Sequence, residues 1–263
     1  MESRASGHDV YNSIAWQDFL TKFRWMQGEH ILCIAGTGQG KTTLLSQMAS
    51  YRKWNLVLGT KKQDSTYDLW IKQGFRRVQS VDEIRPWDTK ILLWPRYDKT
   101  IREFKRRQQR VFRDAFDYTA GQGGWTVWND EEMYMCRDLH LTEEVSWFLQ
   151  QARSSGLTII NGSQRPAWIP VASYNGSTHA FLANSNVDGD AKRLADLGLV
   201  NPKELLANLK QLRRYEFVYV NTRDHTRPVR TKVEKGSNGR TPASERARWF
   251  SRVPVHHRTS RDG

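Results

Sequence analysis

The stretch ILCIAGTGQGKTTLL, residues 31–45, has side chains and spacing suited to chemistry. Within it Ala35-Gly36-Thr37-Gly38-Gln39-Gly40-Lys41-Thr42 fits the phosphate-binding loop pattern, with alanine in the first glycine's place. Glycines let consecutive backbone N–H groups wrap phosphate oxygens, and a following helix points its positive end at them. In this arrangement Lys41 reaches the terminal phosphates and the Thr42 hydroxyl serves a magnesium ion. Gly36, Thr37, Gly38, Gln39, Gly40, Lys41, Thr42 and Thr43 form the expected nucleotide-binding set, with ATP and Mg2+ as the expected ligands. A glycine-rich strand-to-helix turn is the bland alternative, and the added Gly-Lys-Thr weighs against it.

A triphosphate held this way needs an acid at the tip of a neighbouring strand. WTVWNDEE, residues 125–132, supplies one. Asp130 follows a short apolar run and is expected to orient the magnesium, while Glu131 polarises the attacking water. Glu132 shares or takes the second role. An acidic helix start after a strand is the competing reading of these three residues.

These groups need elements to carry them. Apolar periodicity predicts strands at residues 30–35, 55–58, 90–95, 125–128, 157–160, 178–184 and 215–221, with RPVRTKV pairing with the last as a late hairpin. It predicts helices at residues 14–26, packed on the outside of the core, and at 41–49, 101–119, 143–153, 190–197 and 202–212. Alternation of this kind implies an α/β fold, a mostly parallel sheet flanked by helices. Most of the 11 tryptophans are expected in the core, including Trp16, Trp25, Trp54, Trp70, Trp87, Trp94 and Trp128, which lie in or beside apolar runs.

QQARSSGLTIINGSQRPAWIP, residues 150–170, closely resembles a segment of the FtsK-HerA superfamily of DNA-pumping ATPases. There an "AR..G" helix end leads into a strand finishing in Thr-Gln-Arg-Pro; here the strand ends in Ser163-Gln164-Arg165-Pro166. The resemblance implies a RecA-like (ASCE) P-loop NTPase core. It also implies that Gln164 senses the terminal phosphate and that Arg153, eleven positions earlier, reaches a neighbouring subunit's nucleotide, with Arg165 as a second finger candidate. The likeness spans residues 31–220 with loose agreement between motifs. STHAFLANSNVDGDAKRLADLG is similar to the family's strand and helix after the sensor, with its "Ser-x-x-x-Asp" turn. LVLGTKKQ sits where relatives carry an "Asp-Pro-Lys" turn, but Gly59-Thr60 departs from it, so no role is carried over there.

Composition bounds the rest. The 263 residues carry 41 Lys and Arg against 28 Asp and Glu, a formal charge of +13, which favours a polyanionic partner. The 101–119 helix carries Arg102, Lys105, Arg106, Arg107, Arg110 and Arg113, suited to neutralising phosphates without reading sequence. Cys33 and Cys136 have no metal-ligand spacing and imply neither zinc nor a disulfide framework. No run approaches the ~18 apolar residues of a spanning helix, so a cytoplasmic protein without a membrane span is expected, virion-associated in a viral setting. The expected organisation is an N-terminal helical extension (1–28), a motor domain (29–234) and a disordered basic tail (235–263) bearing seven Lys and Arg against Glu245 and Asp262.

The resemblance and the charge together imply an ATP-driven double-stranded DNA translocase for packaging a viral genome or transferring DNA of a mobile element. The implied assembly is a homo-oligomer, a hexameric ring by family likeness, with a capsid or portal protein as a further partner. Two other readings stay open: a virion-assembly or secretion ATPase acting on a protein partner without pumping DNA, and a small-molecule kinase or monomeric switch.

Overall fold

The computed structural model describes residues 11–184, 193, 201–224 and 226–234. Ten strands form one sheet in the order β1-β10-β9-β8-β2-β7-β6-β3-β5-β4. The strands are β1 (Ser13–Ala15), β2 (His30–Ile34), β3 (Asn55–Leu58), β4 (Arg76–Val78), β5 (Lys90–Leu93), β6 (Thr126–Asn129), β7 (Thr158–Ser163), β8 (Ser177–Leu182), β9 (Glu216–Asn221) and β10 (Val229–Lys232). The run from β8 to β4 is parallel throughout, and β9 turns antiparallel to β8 and hairpins with β10. A parallel sheet is covered on both faces, so its central strands read as unbroken apolar runs. All five residues of β2 are buried.

Helices α1 (Trp16–Lys22), α2 (Lys41–Met48), α3 (Thr66–Lys72), α4 (Ile101–Gln122), α5 (Thr142–Gln150), α6 (Val171–Gly176) and α7 (Pro202–Lys210) connect these strands. The longest, α4, starts on an N-cap threonine. The Thr100 hydroxyl accepts from the Glu103 N–H at 3.2 Å and donates to the Glu103 carboxylate at 2.9 Å. Phe104, Gln108, Val111, Phe112, Ala115, Phe116 and Thr119 form its buried stripe. The helix at α7 opens on Asn201, whose side chain accepts from the N–H groups of Lys203 and Glu204.

The beginning of the chain differs from its sequence pattern. The predicted 14–26 helix is only Trp16–Lys22, because Ser13–Ala15 is drawn into the sheet beside β10, Ile14 opposite Thr231. One face of α1 packs into the core: Trp16, Phe19 and Phe23 stack in series at 5.4 and 5.3 Å, and Phe19 meets Phe181 and Tyr219 edge-on. Each such burial contributes on the order of 1.5–3 kcal/mol. Three elements had no periodic signal strong enough to read: α3, the three-residue β4 and α6. Trp16, Trp25, Trp70 and Trp128 are buried as expected, whereas Trp87 is 71% exposed. The predicted helix at 190–197 and the basic tail lie outside the described residues. No helix among those described is long and apolar enough to cross a membrane.

Candidate nucleotide site

Strand order brings the chemistry together. β7 runs between β2 and β6, with Ile34 opposite Ser163 and Asn129 opposite Asn161. The glycine-rich loop after β2, Gln164 after β7 and Asp130 after β6 therefore emerge side by side, on strands about 4.8 Å apart. The Ala35 N–H donates to the Ser163 carbonyl at 2.9 Å, fixing where the loop leaves the sheet.

The loop then turns into α2 through Gly40, whose φ of 106° is left-handed. Space as well as backbone conformation requires glycine there, since a Cβ would lie 2.4 Å from Cδ1 of Tyr215. Gly162 in β7 is required for another reason: a Cβ would sit 2.5 Å from the Asp130 carbonyl oxygen and 3.2 Å from Cδ of Lys41. This close approach lets Lys41 donate to the Asp130 carbonyl at 2.5 Å, with its carboxylate 3.3 Å away. A cleft of about 570 Å³ opens over these groups, lined by Gly36, Thr37, Gly38, Gly40, Lys41, Thr42, Thr43, Asp130, Glu131 and Gln164. Gln39 does not line it; its carbonyl accepts from the Tyr215 N–H at 3.0 Å.

Gln164 spans the cleft. Its amide donates to Glu131 Oε2 at 2.9 Å, and its carbonyl oxygen accepts from the Thr37 hydroxyl at 3.3 Å. Burial raises the pKa of Glu131 above the ordinary carboxylate range, against the opposing pull of the Lys41 ammonium and the Gln164 bond. Adjacent in sequence, Glu132 is in a different place. It is fully buried beneath the cleft floor, accepts from Asn161 at 3.2 Å and from the Ser173 hydroxyl, and does not line the cleft. Burial pushes its pKa up to about 7, with the Ser173 bond opposing and the nearby Glu131 charge adding to the rise. A π-helical turn, Tyr134–Asp138, follows these acids.

Thr42 and Asp130 offer a hydroxyl and a carboxylate to one cleft, with the Asp130 side chain 30% exposed. Oxygen donors of this kind suit a hard divalent cation such as magnesium. Among the described residues no cluster of three or more His, Cys, Asp or Glu is arranged to hold a metal by itself. A two-ligand magnesium completed by phosphates and water fits that donor set.

Arg153 lies elsewhere. It is exposed in the 3₁₀ turn before β7, beside Gly28, and β7's six residues put it on the order of 20 Å from Gln164. It does not line this cleft. Arg165, by contrast, directly follows Gln164 and is half-buried.

Sequence reading passed over several cleft residues, among them Lys61, Asp64, Arg214 and Tyr215. Lys61 pairs with Asp64 at 2.5 Å. Burial opposes its charge, but the Asp64 bond and the Asp130 and Glu131 charges hold its pKa above the usual range. Its signal was present: a lysine in the place of the turn that departs at Gly59-Thr60. Arg214 and Tyr215 come from the turn just before β9, 176 residues from the loop they touch, where no spacing rule reaches.

On α4, three of the basic residues are neutralised: Lys105 by Asp138, Arg107 by Asp98 at 2.6 Å, and Arg113 by Glu144 at 2.6 Å. Arg102, Arg106 and Arg110 are exposed and form no ion pair among the described residues. Four-residue spacing aligns these three as one stripe with a rise of about 6 Å per step.

No protein-family model matches this chain. No curated protein sequence matches it either. Solved structures do. The genome packaging NTPase B204 from Sulfolobus turreted icosahedral virus 2, in complex with AMP, superposes with a TM-score of 0.56 at 13% identity over 76% of this chain and 96% of that one. VirB4 of Thermoanaerobacter pseudethanolicus gives 0.57 at 10% identity over 81% and 91%. The pCW3 conjugation coupling protein TcpA gives 0.51 at 14% identity over 78% and 60%. The chain shares with them the RecA-like P-loop NTPase fold.

Proposed function

We propose that this chain is an FtsK-HerA-type P-loop ATPase that uses ATP hydrolysis to move double-stranded DNA, in packaging or in transfer. The observation carrying the ATPase reading is the Gln164 bridge. One side chain joins Thr37 of the phosphate loop to Glu131 at the tip of the acid strand. Such a bridge can register a terminal phosphate and the attacking water's base together.

The roles follow from position. Lys41 and the loop N–H groups bind the phosphates, assisted by the α2 N-terminus. Glu131 accepts the proton of the attacking water, since it lies in the cleft and a raised pKa makes a stronger base. Glu132, walled off from the cleft, supports the floor. Thr42 and Asp130 would hold magnesium, which when bound supplies positive charge to the phosphate oxygens. Arg153, remote from its own cleft, serves the adjoining subunit in a ring, the assembly that the resemblance implies.

DNA as the track rests on charge. The +13 excess and the unpaired stripe Arg102, Arg106 and Arg110 fit a regular polyanion without base readout. Cations in the first turns of a helix oppose its macrodipole, so stability of α4 gives no reason for Arg102 to be there. The solved relatives named as a DNA-packaging ATPase and a conjugation coupling protein are consistent with this track. The test is ATP hydrolysis by a size-resolved oligomer with and without duplex DNA. Stimulation by duplex that is abolished in Lys41→Ala is expected; a rate indifferent to DNA at physiological salt would favour a protein-handling ATPase.

A further inference from the structure

We propose that Arg214 contacts the nucleotide phosphates within its own subunit and thereby links occupancy of the phosphate loop to the β9–β10 hairpin. The proposal rests on the reading of the cleft as a triphosphate site. Among the described residues three cations face this cleft. Lys41 is paired with Asp130 and Lys61 with Asp64. Arg214 has no carboxylate: its Nε donates to the Gly38 carbonyl at 2.7 Å, and its two terminal nitrogens have no partner among the described residues. A guanidinium carries five N–H donors in a rigid fork. One is used on the loop, so four remain at the mouth of a cleft built for phosphate, the arrangement that takes an oxyanion in bidentate fashion.

Its direction is fixed from both sides. Tyr215, next in the chain, has a left-handed φ of 68°, uncommon for a residue with a side chain. That conformation is held by the Tyr215 N–H on the Gln39 carbonyl at 3.0 Å and by the Tyr215 carbonyl accepting from the Val233 N–H at 2.9 Å. The Tyr215 ring occupies the space that a side chain at residue 40 would need, and the Arg214 guanidinium lies 5.0 Å from that ring's centre. Backbone conformations of this kind persist where the surroundings over-determine them, commonly beside functional sites. A phosphate that engages Arg214 therefore engages the turn that leads into β9, and through Val233 the residue that follows β10.

The experiment measures binding of AMPPCP to the full chain by calorimetry, with thermal unfolding in the absence of nucleotide. Arg214→Gln keeps a donor for the Gly38 carbonyl and removes the charge; Arg214→Lys keeps the charge and removes the fork. We expect Arg214→Gln to weaken AMPPCP binding roughly tenfold, the loss of one charge-assisted contact. Arg214→Lys should recover part of that loss, with the nucleotide-free Tm of both variants equal to wild type. Binding within threefold of wild type in Arg214→Gln overturns the proposal. So does a weakening in both variants that follows a fall in nucleotide-free Tm, because Arg214 would then be scaffold. Wild type that fails to bind AMPPCP, or Lys41→Ala that binds it equally well, removes the triphosphate reading and this one with it. Binding by wild type, its loss in Lys41→Ala and no change in Arg214→Gln removes Arg214 alone.

Discussion

Gln164 and Glu131, 33 residues apart in the chain, are joined by a hydrogen bond of 2.9 Å across the ends of two adjacent strands. The bond orients a carboxylate whose pKa burial has raised. Replacing Glu131 by Gln should lower kcat by about 10²–10⁴-fold while leaving nucleotide binding nearly intact, because proton acceptance is lost and shape is kept. Gln164→Ala should lower kcat by roughly tenfold, since the base remains but is no longer held. The Glu131 carboxylate is the active form, so kcat in the wild type should fall as pH drops through a pKa above the ordinary 4.5. Steady-state rates and analogue titrations across pH check all three expectations; a Glu131→Gln protein with wild-type kcat would end the assignment.

Arg153 and Lys41 stand at opposite ends of the parallel strands. Arg153→Ala and Lys41→Ala should each be inactive alone. Mixed, they should regain part of the wild-type rate, since some interfaces then combine an intact loop with an intact arginine. The mixing curve at fixed total protein is the measurement. Absence of any recovery, with mixed oligomers shown to form, would assign Arg153 to the surface.

The α4 stripe makes a prediction in salt. Replacing Arg102, Arg106 and Arg110 together by Ala should weaken duplex binding equally across sequences and reduce the slope of log K against log salt by up to about 3. Lys105→Ala should change the slope less, because Asp138 already neutralises Lys105. Mobility shifts over a salt series provide the comparison.

Glu132 gives a stability signature. Its pKa is about 7 in the folded chain against 4.5 in the reference state, so folding favours the protonated acid. That contribution is fully present below about pH 4.5 and is lost as pH rises through 7, a change of about 3 kcal/mol. Wild type should therefore lose stability between about pH 4.5 and 7 relative to Glu132→Gln, which cannot ionise there. Denaturant unfolding of the two proteins over that window reads the difference, and parallel curves would contradict it.

The loop and the acids could be read from sequence because they are local: Gly36 to Thr43 carries its chemistry within eight residues, and Asp130 and Glu131 follow one apolar strand. The sheet could be read in outline for the same reason, each buried parallel strand being a short apolar run. Separation of Glu131 from Glu132 could not be read, because one residue of backbone rotation puts one carboxylate in the cleft and the other in the core. Arg214 and Tyr215 were silent because their partners are at the far end of the chain. The charge on α4 was visible as a sum, but which arginines are already neutralised depends on Asp98, Asp138 and Glu144, which lie outside the helix. At residues 13–15 helical periodicity lost to pairing with β10, a tertiary contact more than two hundred residues away.

Both ends of the ten-stranded sheet are strands of only three residues, β1 and β4. On β4, Arg76 is clasped by Asp88 and Arg77 lies 3.9 Å from the centre of the Trp94 ring, so the outer rim is charged as well as brief. Rims of this kind discourage strand addition from another molecule. Copies of this chain that associate would then do so through helices and loops, with each sheet a closed unit.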